Sequence, residues 1–254
     1  MNEWALITGA SAGIGRELAE LFAGASFNLV LVARNGARLK ELGDKLKGRF
    51  GIEFLVLTAD LARPGAAGDL LKAVGSREIS VLVNNAGFGA YGEFAKADLK
   101  TQAEIIQVNI LALMELTHLF LQPMLARKQG RILNVASTAA FQPGPFVNAY
   151  YASKAFVYSF SYALTEELTG SGVSVTTLCP GPTSTEFFDR AHIKMKQGFP
   201  MMSARTVAEE GFDGLMKGKR VVIAGMANKI VSFVAKRSPP RVTSMIVRRI
   251  HRRG

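Results

Sequence analysis

Only one cysteine, Cys179, occurs in the 254 residues. Without a second thiol there is no intrachain disulfide framework, and the composition fits a reducing, cytoplasmic setting. The chain opens Met1-Asn2-Glu3 and enters the apolar run from Trp4 at once, so the basic start and hydrophobic stretch of a signal peptide are missing. Long apolar runs are missing too. The richest, Ile105 to Leu125, is broken by Gln107, Asn109, Glu115, His118 and Gln122. A spanning helix needs about 20 nearly uninterrupted apolar residues, so a buried or interfacial helix is expected there instead. Acid is absent from the end of the chain: beyond Asp213 stand eleven Lys and Arg residues and no Asp or Glu, and these cations equal the whole net charge of +11. The body is therefore neutral and the tail carries the excess.

The chain has 48% hydrophobic and 20% charged residues, enough apolar material for a sizeable core. Short β-branched or apolar runs at Ala5–Thr8, Asn28–Ala33, Glu53–Thr58, Val81–Asn84, Arg131–Val135, Ser174–Leu178 and Arg220–Ala224 read as strands buried on both faces. Between them, Gly15–Ala23, Ala37–Leu46, Thr101–Leu125, Tyr151–Leu168 and Ala204–Met216 have helical spacing. This alternation predicts an α/β fold, a doubly wound parallel sheet of seven strands with helices on both faces. No repeat or linker divides the body, so one domain over 1–227 and a basic C-terminal extension over 228–254 are expected.

The first predicted strand runs directly into Gly9-Ala10-Ser11-Ala12-Gly13-Ile14-Gly15, which opens the first predicted helix. Glycines there let a backbone approach a pyrophosphate, and the helix N-terminus offers free N–H groups; Gly9, Ser11, Gly13, Ile14 and Gly15 are candidate cofactor contacts. The same residues spell G-x-S-x-G, which would make Ser11 a hydrolase nucleophile. That reading is set aside: no upstream strand supplies a second oxyanion donor, and His118, His192 and His251 have no evident acid partner. At the end of the second strand, Ala33 stands where an NAD site places an acid, and Arg34 follows. An arginine suits a 2′-phosphate, so the pattern favours NADP(H). Tyr150 and Lys154 lie one helical turn apart, close enough for the ammonium to pull the phenol pKa down from about 10. Ser137, just beyond the fifth predicted strand, stands where a hydroxyl could donate to a substrate oxygen. No metal site is expected.

Together with Asp60-Leu61, Asn84-Asn85-Ala86-Gly87, Asn109 and Pro180-Gly181, these motifs resemble the short-chain dehydrogenase/reductase family from Ala5 to about Gly225. The resemblance implies a Rossmann-like fold and an NADP(H)-dependent oxidoreductase that interconverts a carbonyl and a secondary alcohol. It implies that Asp60 bonds the adenine ring, with Leu61, Asn85, Ala86 and Gly87 bordering the cofactor. Asn84 would steady the central sheet, Asn109 would anchor a water that passes protons to Lys154, and Lys154 would also hold the nicotinamide ribose. Thr183 and Thr185, after Pro180-Gly181, would contact the carboxamide. Catalysis would rest on Asn109, Ser137, Tyr150 and Lys154. A non-catalytic NADP(H)-binding sensor is the alternative, since the fold alone does not prove turnover.

Two segments are expected to shape the substrate side, Thr138–Ala149 and Pro182–Ser203. The second reads as a lid carrying Phe187, Phe188, Ile193, Met195, Phe199, Met201 and Met202, suited to an apolar or lipid-like substrate such as a 3-oxoacyl chain or a ketosteroid. His192 reads as a surface residue. In the tail, Ile230, Val231, Phe233 and Val234 form an apolar side, Pro239-Pro240 breaks the helix, and Val242, Met245, Ile246 and Ile250 share a side of the next segment. This basic end suits an anionic membrane surface, an acyl carrier or coenzyme A, a partner subunit, or plain solvation. No nucleic-acid reader motif accompanies the charge. Relatives of the family pair through the long helices, so a homodimer or homotetramer is expected.

Overall fold

The computed structural model describes residues 3–193 and 200–252. Strands β1 (Trp4–Thr8), β2 (Asn28–Ala33), β3 (Phe54–Thr58), β4 (Ile79–Asn84), β5 (Gly130–Val135) and β6 (Val173–Cys179) alternate with helices α1 (Gly13–Gly24), α2 (Gly36–Phe50), α3 (Ala66–Val74), α4 (Leu99–Ile106), α5 (Leu113–Arg127) and α6 (Asn148–Glu167). The chain continues through β7 (Thr183–Ser184), α7 (Phe187–Arg190), β8 (Met202–Ser203), α8 (Ala204–Met216), β9 (Val221–Ile223), α9 (Met226–Arg237) and α10 (Pro240–Arg252). Seven strands form one parallel sheet in the order β3-β2-β1-β4-β5-β6-β9. All seven are the predicted ones. The order reverses between β1 and β4, and a crevice opens there at the carboxyl ends of the strands.

Strand residues alternate between two cores. Ala5 and Ile7 of β1 join Leu18 and Phe22 of α1, Leu39 of α2 and Leu215 of α8 in one layer. Leu6 faces the other way, toward Leu70 of α3 and Leu116 and Phe120 of α5. Helices start where side chains satisfy the first N–H groups: Asn35 accepts from Arg38, Asp98 from Lys100 and Thr101, and Ser203 from Thr206. The apolar stretch expected to stay inside does so. Leu99–Arg127 alone among the described residues is long and apolar enough to cross a membrane, yet half of its most apolar window is buried in the fold. A π-helical turn, Gln107–Ala112, joins α4 to α5 and carries the buried Asn109.

Beneath the crevice a polar cluster is sealed in the core. Asn84 of β4 donates to Thr117 Oγ1 of α5 and to Asn134 Oδ1 of β5, both at 2.9 Å, and Asn134 donates to Ser161 Oγ of α6 at 2.9 Å. These bonds fix two strands and two helices in one register at the foot of the site. Replacing Asn134 with Leu strips Ser161 of its donor and Asn84 of an acceptor. A loss of roughly 1–3 kcal/mol for each buried group left unpaired is expected, measured as a lower urea-unfolding midpoint.

Candidate active site

The glycine turn is shaped from below. Thr8 Oγ1 donates to Val83 O at 3.2 Å and accepts from the N–H groups of Asn85 and Ala86, both at 3.0 Å. Asn85 Nδ2 donates to Thr8 O at 2.9 Å and Gly9 O at 3.2 Å. The side chain of Asn85 thus holds the turn, and the residue also lines the cavity described below. Gly9 has φ +67°, and a Cβ on Gly15 would fall 2.4 Å from Asn85 Nδ2, so neither position admits a side chain without strain. Helix α1 begins at Gly13 behind Ala12, which offers no side-chain cap. The first-turn N–H groups are therefore left to the crevice.

A cavity of about 1010 Å³ runs from this turn across the carboxyl edge of the sheet. At one end it is lined by Gly9, Ser11, Gly13 and Ile14, with Arg34, Asp60 and Leu61 beyond. Arg34 is exposed and forms no ion pair among the described residues, whereas Arg38, one turn on, is held by Glu186 at 3.0 Å. Ala86 and Gly87 line its middle, and Pro180, Gly181, Thr183 and Thr185 line its roof. Thr183 is buried and donates to Gly181 O at 2.9 Å.

At the other end stand Ser137, Tyr150 and Lys154. Helix α6 begins at Asn148, three residues earlier than the predicted Tyr151, so Tyr150 sits in its first turn with Lys154 one turn on. Ser137 follows β5 directly and caps the turn Thr138–Phe141, its Oγ accepting from Ala139 N at 3.1 Å. The Ser137 hydroxyl also donates to Pro180 O at 3.4 Å. Lys154 donates to Val135 O at 2.7 Å, with its Nζ 5.8 Å from the centroid of the Tyr150 ring. Asn109 is tied to the same group through Ser153: its Nδ2 donates to Ser153 Oγ at 2.9 Å and Phe88 O at 3.0 Å, while its Oδ1 accepts from Phe88 N at 3.1 Å.

One electrostatic expectation is reversed. Proximity to Lys154 suggested a lowered phenol pKa, but burial pushes Tyr150 up to about 12, offset in part by the bond from Ser137. The same burial pulls Lys154 down to about 8. Enclosure disfavours charge on both groups, and at 5.8 Å the ammonium does not overcome it. Burial thus favours the uncharged phenol of Tyr150.

The lid departs from a long loop. Its two ends pair as β7 and β8, Thr183 with Met202 and Ser184 with Ser203, and α7 lies between them. Phe187 packs 5.0 Å from the Tyr150 ring, and Phe188 and Ile193 pack with it. His192 is exposed as expected, although its residue borders the cavity; Met195 and Phe199 lie outside the described residues.

The sequence reading missed the wall made by the tail. Helix α10 turns an inner row of Thr243, Val247 and His251 toward the body, while Val242, Met245, Ile246 and Ile250 are exposed. Val247, Ile250 and His251 border the cavity. The Tyr91 hydroxyl donates to His251 O at 3.0 Å, and His251 Nε2 shares a 3.2 Å hydrogen bond with the Tyr151 hydroxyl. Burial lowers the His251 pKa, so its imidazole is neutral. No local motif marks these partners, which lie 100 and 160 residues apart in sequence.

The family model for short chain dehydrogenase matches residues 3–196. Mouse 17-beta-hydroxysteroid dehydrogenase type 3 is 31% identical over 95% of this chain and 78% of its own length. A rat very-long-chain 3-oxoacyl-CoA reductase is 34% identical over 71% of this chain; the match spans only 59% of that protein. Among solved structures, a short-chain dehydrogenase from Sphingobium yanoikuyae in complex with NADPH superposes with a TM-score of 0.83 and 31% identity, covering 92% of this chain and 93% of that one.

Tyr151 owes its place between His251 and the cavity to Gly144. A Cβ on Gly144 would lie 2.1 Å from the Tyr151 ring, whereas one on Gly48, inside α2, meets nothing within 4 Å. Gly144→Ala should destabilise the fold by about 1–3 kcal/mol through overpacking. Gly48→Ala should be neutral or stabilise by up to about 1 kcal/mol through helix propensity. Urea-unfolding midpoints of the two variants provide the comparison.

Proposed function

Because the chain belongs to the short-chain dehydrogenase family and is an oxidoreductase, we propose that it reduces an apolar ketone to a secondary alcohol with NADPH. The observation that carries this reading is the convergence of Ser137, the uncharged Tyr150 and Lys154 in one cavity with the glycine turn and the exposed Arg34.

The cofactor supplies the hydride, and the residues present fit it. The bare turn at Gly9, Ser11, Gly13, Ile14 and Gly15 would take the pyrophosphate on the uncapped N–H groups of α1. Arg34 would grip the 2′-phosphate, and Ala33 offers no carboxylate to repel it. Asp60 and Leu61 would border the adenine, Ala86 and Gly87 the middle of the cofactor, and Pro180, Gly181, Thr183 and Thr185 the nicotinamide end. Lys154 would hold the nicotinamide ribose.

In reduction, Ser137 and Tyr150 would donate hydrogen bonds to the carbonyl oxygen, drawing electron density away from the carbon. Tyr150 then gives its phenolic proton to the developing alkoxide. Lys154 favours the resulting phenolate by its charge, and the raised phenol pKa keeps the proton in place until the oxygen needs it. Asn109 acts as a positioning residue: it fixes Ser153 on α6, between Tyr150 and Lys154, against the loop at Phe88.

Phe187, Phe188, Ile193 and Val247 give the substrate end an apolar wall. Such a wall suits bulky apolar ketones, either 3-oxoacyl thioesters or ketosteroids; the rat relative is named for 3-oxoacyl-CoA and the mouse relative for a 17-beta-hydroxysteroid. Outward-facing Leu111, Met114, Phe156 and Tyr162, on the long helical segment and on α6, suit pairing of two copies through these helices.

Tyr150→Phe should lower kcat by roughly 10²–10⁴-fold while leaving NADPH binding, read by nucleotide fluorescence, unchanged. NADPH consumption with a panel of 3-oxoacyl thioesters, ketosteroids and simple ketones provides the rates; a variant that keeps most of its kcat overturns the assignment. Arg34→Ala should raise KM for NADPH about 10–100-fold, as expected for one lost charge-assisted contact, and leave KM for NADH nearly unchanged.

A further inference from the structure

Helix α9 is packed the reverse of an ordinary surface helix. Its inner face is small and polar, with Ser232 fully buried and Asn228 bonded to Ala224 O at 2.7 Å. Outward, Met226, Ile230, Phe233 and Val234 are between 55% and 69% exposed. Helix α10 continues the surface with Val242, Ile246 and Ile250, spaced four residues apart and each about half exposed. Water is a poor solvent for such a contiguous apolar face, which implies a covering partner.

Charge distinguishes among partners. Lys229, Arg237, Arg241, Arg248 and Arg249 flank the apolar rows, and beyond Asp213 the sequence has no acid. A second copy of the chain would bring the same cations face to face in a two-fold contact, against their mutual repulsion. An acidic soluble protein satisfies the cations but leaves the hydrocarbon of α9 without a counterpart. An anionic lipid bilayer satisfies both, since its headgroups take the arginines and its acyl boundary takes the apolar side chains.

The cavity reaches this same side: Val231 of α9 and Ile250 of α10 line it while remaining 60% and 48% exposed. Lys236 pins α9 in that position, with its Nζ 4.2 Å from the Phe141 ring centroid and 3.2 Å from the Tyr158 hydroxyl. We propose that the outward faces of α9 and α10 form one docking surface for an anionic bilayer, with this end of the cavity turned toward the lipid. Direct entry of an apolar substrate from the membrane rests on the reductase reading above; docking does not.

The test is flotation of the full chain with phosphatidylcholine vesicles, with and without phosphatidylglycerol. The wild type should float only with the anionic vesicles. Ile230→Asn combined with Val234→Asn should weaken that binding at least about tenfold without changing the melting temperature or oligomeric state. Raised salt should weaken the wild type further. Three results overturn the proposal: the wild type fails to float with anionic vesicles, the double variant floats like the wild type, or the double variant dissociates an oligomer in the absence of lipid. The second leaves charge alone as the attraction, and the third assigns the face to a subunit contact. None depends on ketone turnover, so the reductase reading stands or falls separately.

Discussion

The hydroxyl of Thr8 is the constraint on which the rest of the site depends. It lies where β1 and β4 part, and its three bonds, to Val83 O and from the N–H groups of Asn85 and Ala86, tie both strands together at the crevice. From that point the order is passed along. The Asn85 amide fixes the glycine turn on one side; on the other, the segment after Ala86 reaches Phe88, which Asn109 holds through both backbone groups. Asn109 then bonds Ser153, whose neighbour Lys154 is anchored on β5 through Val135 O. A turn for phosphate and a lysine beside a phenol are thereby positioned by one continuous path of hydrogen bonds, most of it out of water and so little weakened by solvent competition.

Burial sets the chemistry as firmly as the contacts do. The phenol is driven up to about 12 and the amine down to about 8 by the same enclosure. Enclosure of this kind favours the uncharged form of both groups.

Much of this could be read in the sequence because it depends on local order. Period-free apolar runs marked all seven sheet strands, since strands covered on both faces show no alternation, and the glycine turn announced itself by following the first of them. Tyr150, Lys154 and Ser137 were legible as a helical spacing and a strand end. What stayed hidden was long-range. Asn85 lines the cavity, but that its side-chain N–H groups also hold Thr8 O and Gly9 O depends on two strands meeting, which no local pattern shows. The paired ends of the lid are too short to show periodicity, and α3 begins after a left-handed Gly65 without any capping side chain. The tail's place was hidden most: no local pattern shows that Val247, Ile250 and His251 border the cavity.

The lone cysteine has a consequence of its own. Cys179 is fully buried at the end of β6, and burial pushes its thiol up to about 12, so the nucleophilic thiolate scarcely forms. Peroxide and alkylating reagents have no other thiol to find in this chain. The protein is therefore a ready host for site-specific labelling: a cysteine introduced on α9 or α10 can carry a fluorophore or spin label as the sole reactive position, with no native thiol to remove first.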